Sequence, residues 1–128
     1  GDKYKLIPEL KKYFPEQIDK FVEPFVGGGS VFLNFNAKEF YENDIDKNIM
    51  SIHHYLSSFS SSEALLDILF AKIDDYKFTC SYKGKTVPKE LKEKYVKTYF
   101  AKYNAEFYKQ LKEKYNASDR TDIADLYL

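Results

Sequence analysis

The chain has 128 residues, about the length of one domain, with 44% apolar and 31% charged residues, a balance that excludes a disordered segment. No apolar run approaches the roughly 18 residues that span a bilayer, and no signal peptide is read at the start, so no membrane partner and a cytoplasmic address are expected. The single Cys80 excludes an internal disulfide, and with the adjacent His53 and His54 it makes a poor zinc site, so no metal is expected.

The zero net charge is a sum of unlike parts. Residues 1–50 carry −2 and residues 51–128 carry +2, and between Lys77 and Lys114 eleven Lys stand against four Glu. Such an excess can hold phosphates, and a lysine-studded solvated helix has the same composition.

In chain order, Ile7 to Phe14 fits a short helix, with Pro8 in its first turn and Pro15 past its end. Lys20 to Glu23 reads as a strand, stopped by Pro24 and by Gly27, Gly28 and Gly29. Ser30 to Asn34 opens a helix with Val31, Phe32 and Phe35 as apolar members, and Lys38 to Glu42 forms a second strand closed by Asn43-Asp44. Strand, glycine turn, helix, strand is the first unit of a parallel α/β sheet. Beyond Asp46 the period is helical, through Ile49, Ile52, Tyr55 and Leu56. Ser60 with Glu63 makes a capping box for a helix running to about Ile73. A basic turn, Tyr82-Lys83-Gly84-Lys85, leads to one long helix from near Pro88, striped by Leu91, Tyr95, Val96, Tyr99, Phe100, Tyr103, Phe107 and Leu111. Asn116 to Asp119 breaks it, and a last helix starts around Asp119.

The segment from Phe21 to Asp46 carries the chemistry. A strand running into glycines and then a helix sets bare backbone N–H groups against a ligand, because a side chain there would block close approach. A P-loop fails, since Gly29 is followed by Ser30-Val31 and not by Lys-Ser/Thr. A dinucleotide fingerprint matches in part, through Gly27 and Gly29, but has Phe32 at its third position. A nucleoside cofactor without pyrophosphate, S-adenosylmethionine (SAM), needs a glycine turn and an acid after the next strand, and Asp44 stands there with Asp46 as the less favoured neighbour. An ordinary tight turn beside a surface acid is the remaining alternative.

The segment FVEPFVGGGSVFL, Phe21 to Leu33, closely resembles the SAM-binding motif of Dam-type DNA-adenine methyltransferases. Asn43-Asp44-Ile45-Asp46 resembles the second motif of that family, and Gly1-Asp2-Lys3-Tyr4 resembles the end of its N-terminal GGK motif with Asp2 in place of the second glycine. The three stand in the family's order and spacing. The resemblance implies an α/β fold: the first strands of a Rossmann-like SAM-dependent methyltransferase sheet in residues 1–50, then a helical DNA-recognition insertion, incomplete, in residues 51–128. It implies that Lys3 approaches the methionine end of the cofactor and that Glu23, Pro24 and Phe25 line the pocket. Gly27 and Gly29 would form the turn, Asp44 would accept from the ribose hydroxyls, and Ile45 would pack on the adenine ring. Lys83, Lys85 and Lys89 would meet the backbone of duplex DNA, where phosphate contacts position without reading sequence.

The family's Asp-Pro-Pro-Tyr motif, which holds a flipped adenine for attack on the cofactor methyl, has no counterpart here: Pro8, Pro15, Pro24 and Pro88 are never adjacent. The expectation is therefore an N-terminal fragment of an adenine N6-methyltransferase, inactive alone. Its rivals are a non-catalytic SAM- or DNA-binding module and, more distantly, a piece of a dinucleotide-binding oxidoreductase. His53 and His54 read as surface or capping residues, Cys80 as a packing residue, the tyrosine stripe as core, and Asn116-Ala117-Ser118 as a helix break.

Overall fold

The computed structural model describes residues 3–128; Gly1 and Asp2, part of the expected N-terminal motif, lie outside the described residues. The chain divides into two compact units, one up to His54 and one from Tyr55 onward.

In the first unit a 3-10 turn at Tyr4–Leu6 leads into α1 (Ile7–Leu10), with Pro8 in its first turn. The expected helix to Phe14 stops early. Lys12 and Tyr13 donate to carbonyls three residues back, Glu9 and Leu10, and Pro15 bars the helical conformation at Phe14. Strands β1 (Lys20–Glu23) and β2 (Glu39–Glu42) form where expected and pair in parallel, Phe21 opposite Phe40 and Glu23 opposite Glu42.

Alternation along β1 buries Phe21 with Ile7 and Val31, and Leu10, Ile18, Phe32 and Phe35 pack around them. The Phe14 ring lies 4.3 Å from Phe35 and 5.7 Å from Phe21. Val22, next along β1, is 66% exposed, and Tyr41, its partner in register, is 50% exposed.

The crossover from β1 to β2 holds only a 3-10 turn at Phe32–Asn34 in place of the expected helix from Ser30. The cause is local. The Asn34 side chain donates to the Ser30 carbonyl at 2.9 Å, which an α-helix would have given to the Asn34 N–H, and that N–H turns to Val31 instead. Helix α2 (Lys47–Ser57) is capped by Asp46, whose Oδ1 accepts the Asn48 N–H at 2.8 Å and whose carbonyl accepts from Met50.

The second unit opens with α3 (Ser62–Asp75). Its cap is Ser61, whose hydroxyl accepts from the Ala64 N–H, so the expected capping box at Ser60 is one residue out of register. Three serines in a row leave that register to the backbone, and Ser61 is the extended one, at φ −146°. A turn around Gly84 (φ +68°) closes an antiparallel bridge in which Cys80 and Lys85 exchange both backbone hydrogen bonds. Cys80 is buried, as a packing residue should be.

The single long helix expected from Pro88 is two, α4 (Lys89–Tyr95) and α5 (Tyr99–Ala117). The break falls at Val96, which sits at φ +31°. Val96 and Thr98 are poor helix formers, and Val96 is 70% exposed, so no burial holds the stripe continuous there. Within α5 the stripe survives through Tyr99, Tyr103, Phe107 and Leu111, of which Leu111 is deeply buried. Ser118 ends α5, where the Asn116-Ala117-Ser118 break was expected.

The last helix, α6 (Ile123–Tyr127), is capped by Asp122 rather than begun at Asp119. The Asp119 carboxylate is spent on the N–H and hydroxyl of Thr121, a local turn that delays the helix.

Asp125, 6% exposed, ties α6 to α3: its carboxylate accepts from the Lys72 ammonium at 2.7 Å and from the Tyr76 hydroxyl at 2.8 Å. Burial alone would lower the Lys72 value, but its hydrogen bonds to Asp122 and Asp125 and their charge outweigh that and hold it above the ordinary lysine range. This contribution is present through neutral pH and is lost only as pH rises past the Lys72 value.

Two stability measurements follow from these contacts. Asp125→Ala removes the buried carboxylate that holds both Lys72 and Tyr76 and leaves the partly buried ammonium to Asp122 alone, and should cost about 1–3 kcal/mol in urea unfolding; Lys72→Met in the same chain should recover part of the loss. A loss below about 0.5 kcal/mol would show the network to be idle. Val96→Gly relieves the positive φ while giving up little buried surface, and should raise stability by about 0.5–1 kcal/mol by the same measurement.

Candidate functional site

The glycine turn sits beyond the carboxyl ends of the two strands. Backbone bonds extend the strand pairing into it: Asn43 N–H donates to the Glu23 carbonyl, and Val26 N–H donates to the Asn43 carbonyl at 2.9 Å. The Gly29 N–H then closes the turn onto Val26. Gly27 and Gly29 both take positive φ, +50° and +79°. Gly29 has a second reason to be glycine, since a Cβ there would stand 2.6 Å from the Phe32 ring and 3.1 Å from His53.

One cavity of about 390 Å³ opens on this turn, and Lys3, Glu23, Phe25, Gly27, Gly28 and Ser30 help to wall it. Four of the residues expected at the site, Lys3, Glu23, Phe25 and Gly27, thus meet in one place. Pro24 is exposed between Glu23 and Phe25, and Gly29 is buried behind the turn. Ser30 had not been singled out in the sequence.

Asp44 joins the site through the backbone. Its Oδ2 accepts the Gly27 N–H at 2.9 Å and its Oδ1 accepts the Asp46 N–H at 3.0 Å. These bonds, Asp46 first and then Gly27, hold its carboxyl below the ordinary range. Ile45 beside it is 94% exposed, an apolar side chain standing in water. Asp46, the alternative acid, is occupied as the cap of α2.

Glu23 behaves oppositely. Burial pushes its carboxyl above the ordinary range, only partly offset by the Phe32 N–H that its Oε2 accepts at 3.1 Å. A carboxylate in that state gains from any cation brought to the cavity.

His53 is a correction to the sequence reading. It is not a surface residue: its Nε2 lies 2.7 Å from the Gly27 carbonyl, and its ring meets Phe32 edge-on at 5.7 Å. A carbonyl can only accept, so Nε2 is the protonated nitrogen. The signal was present in the spacing, because seven residues from the cap Asp46 is two helical turns and returns to the same side of α2.

In the second unit Lys83 and Lys85 share one carboxylate, Asp74, at 2.8 and 2.5 Å, and Lys89 lies 3.7 Å from Glu93. The two lysines hold the Asp74 carboxyl below its ordinary range. Among the described residues no cluster of side chains fit for a metal ion is present, and no helix is long and apolar enough to cross a membrane.

A family model described as D12 class N6 adenine-specific DNA methyltransferase matches residues 1–126. Among curated proteins, the chain is 33% identical over 76 residues to the modification methylase StsI of Streptococcus sanguinis, covering 59% of this chain and 12% of that protein. It is 38% identical over 52 residues to the DNA adenine methylase of Haemophilus influenzae, 41% of this chain and 18% of that protein. The DNA adenine methylase of Escherichia coli K12 is 39% identical over 54 residues, 42% of this chain and 19% of that protein. The chain thus spans less than a fifth of the length of these relatives. No solved structure matches it significantly.

The turn geometry sets a contrast between adjacent glycines. Gly29→Ala combines a positive φ with a clash and should cost about 1–3 kcal/mol, whereas Gly28→Ala meets open space and should stay within about 0.5 kcal/mol of the parent. Thermal unfolding of the two variants checks the order; equal losses would show that the turn is not built as described.

Proposed function

The chain belongs to the D12 class N6 adenine-specific DNA methyltransferases, and on that footing we propose that its first unit binds the methionyl and ribose ends of S-adenosylmethionine. The observation that carries the proposal is the meeting of Lys3 and Glu23 in one cavity beside a glycine turn. The methionyl end of SAM is a zwitterion on a sulfonium. Lys3 would take its carboxylate, and Glu23, whose charge is held against burial, would take the cationic side.

The ribose acid is Asp44 in this reading. A carboxylate offers about four lone-pair sites; the Gly27 and Asp46 N–H groups take one on each oxygen and the Ile45 N–H also bonds to it, which leaves a site for a ribose hydroxyl. Ile45 and Phe25, both exposed, give the purine apolar surface, and Pro24 sets the angle at which the strand leaves for the turn. A parallel strand pair with the ligand beyond its carboxyl ends is what the first crossover of a Rossmann-like sheet would provide, with a 3-10 turn standing here in place of its helix.

SAM when bound supplies an electrophilic methyl for the amino nitrogen of adenine in duplex DNA. No two prolines of this chain are adjacent, so these residues supply the cofactor half of that reaction and not the adenine half. For the chain as it stands we propose cofactor binding without methyl transfer. Its contact with DNA is to phosphates: Lys83, Lys85 and Lys89 already have carboxylate partners, so binding is weak, salt-sensitive and indifferent to sequence.

A chemical-shift titration tests the cofactor reading. SAM should move the amides of Gly27, Gly28 and Ser30 with a dissociation constant on the order of millimolar, and Glu23→Gln should weaken it roughly tenfold. Affinity should fall as pH falls through the raised Glu23 value, because protonation removes the charge the ligand needs. That loss is not acid unfolding: a carboxyl raised in the folded state stabilises the fold as it takes up its proton, and Asp44, held low, keeps its bonds to below the ordinary carboxylate range. If NADH moves these amides and SAM does not, the turn belongs to a dinucleotide site and the proposal falls.

A further inference from the structure

We infer that His53 is a positioning residue for the cofactor turn: it fixes which way the Gly27–Gly28 peptide faces. The inference rests on the SAM reading for its purpose, and on this chain's own geometry for its substance. Gly27 is held at both of its polar atoms, its N–H by Asp44 at 2.9 Å and its carbonyl by His53 at 2.7 Å.

A peptide between two glycines has little steric reason to keep one orientation, because no Cβ opposes a half-turn of the plane. A flip would exchange the Gly27 carbonyl with the Gly28 N–H. In a trans peptide these two groups point oppositely, so a bond that fixes the carbonyl toward α2 also fixes the Gly28 N–H away from it. Gly27 and Gly28 both wall the cavity. His53 therefore decides whether the ligand meets a donor or an acceptor there.

The ring is placed for this task by more than the hydrogen bond. It leans edge-on against Phe32, and the missing side chain of Gly29 leaves the space its Cε1 occupies. Phenylalanine would fill the same volume without the donor, and glutamine would restore a donor at about the position of Nε2.

The experiment compares wild type, His53→Phe and His53→Gln in the full chain, by three readouts: the Gly27 carbonyl ¹³C shift, the SAM titration, and the thermal midpoint. Phe should keep the midpoint near that of wild type, move the carbonyl shift toward the unbonded value, and weaken SAM about tenfold. Gln should restore both the shift and the affinity, which a role in packing alone would not produce. Retention of the wild-type carbonyl shift and affinity in Phe would overturn the inference. If Phe does not fold, the wild-type imidazole ¹⁵N spectrum decides: an Nε2-protonated ring supports the latch and an Nδ1-protonated ring overturns it. If SAM fails to bind wild type, the cofactor reading falls, and the carbonyl shift still decides the role of His53.

Discussion

Gly27 is the residue on which the first unit closes. Its N–H goes to Asp44, the other oxygen of Asp44 takes the Asp46 N–H, Asp46 caps α2, and α2 returns His53 to the Gly27 carbonyl. The ring of contacts runs through the turn, the end of β2 and α2 without a gap. A two-stranded sheet is a marginal object by itself, and this circuit gives it a third side. It also explains how two positive-φ glycines can sit near each other without the loop wandering: the conformations that glycine permits are narrowed again by polar partners.

The two carboxylates at the site divide the work by their surroundings. Asp44 receives backbone donors from Asp46, Gly27 and Ile45 and is pulled down, so its charge holds the chain together around the turn. Glu23 receives one donor against a larger cost of burial and is pushed up. The two acids stand at the carboxyl ends of neighbouring strands, yet their surroundings move their carboxyls in opposite directions.

Much of this was legible in the sequence, because the signals were local. The strands at Lys20–Glu23 and near Lys38–Glu42, the glycine stop between them and the acid at Asp44 all follow from alternation and turn chemistry. What escaped was decided by competition. Asn34 took a carbonyl from its own helix, Asp119 spent its side chain on Thr121, and Val96 broke an apolar stripe that periodicity alone would have continued. His53 was missed for another reason. Adjacent histidines look like surface residues until the helix has a fixed start, and only the Asp46 cap sets the phase that turns His53 inward. Lys83 and Lys85 were read as contacts for DNA phosphate, since nothing in the linear order brings Asp74 to both. Asn104, set in the α5 stripe, was likewise silent: it is there to serve Thr79, accepting its N–H and donating to its hydroxyl.

The buried Cys80 gives the second unit a clock. It is the only thiol in the chain, and because it is buried a reagent reaches the sulfur only when the structure around it opens. Alkylation is therefore gated by local opening around Cys80, and its rate, compared with a free thiol, measures how often that opening occurs. Lys85 is both the backbone partner of Cys80 and, with Lys83, pinned to α3 through Asp74, so salt that screens these pairs should quicken the clock if they help hold that region shut.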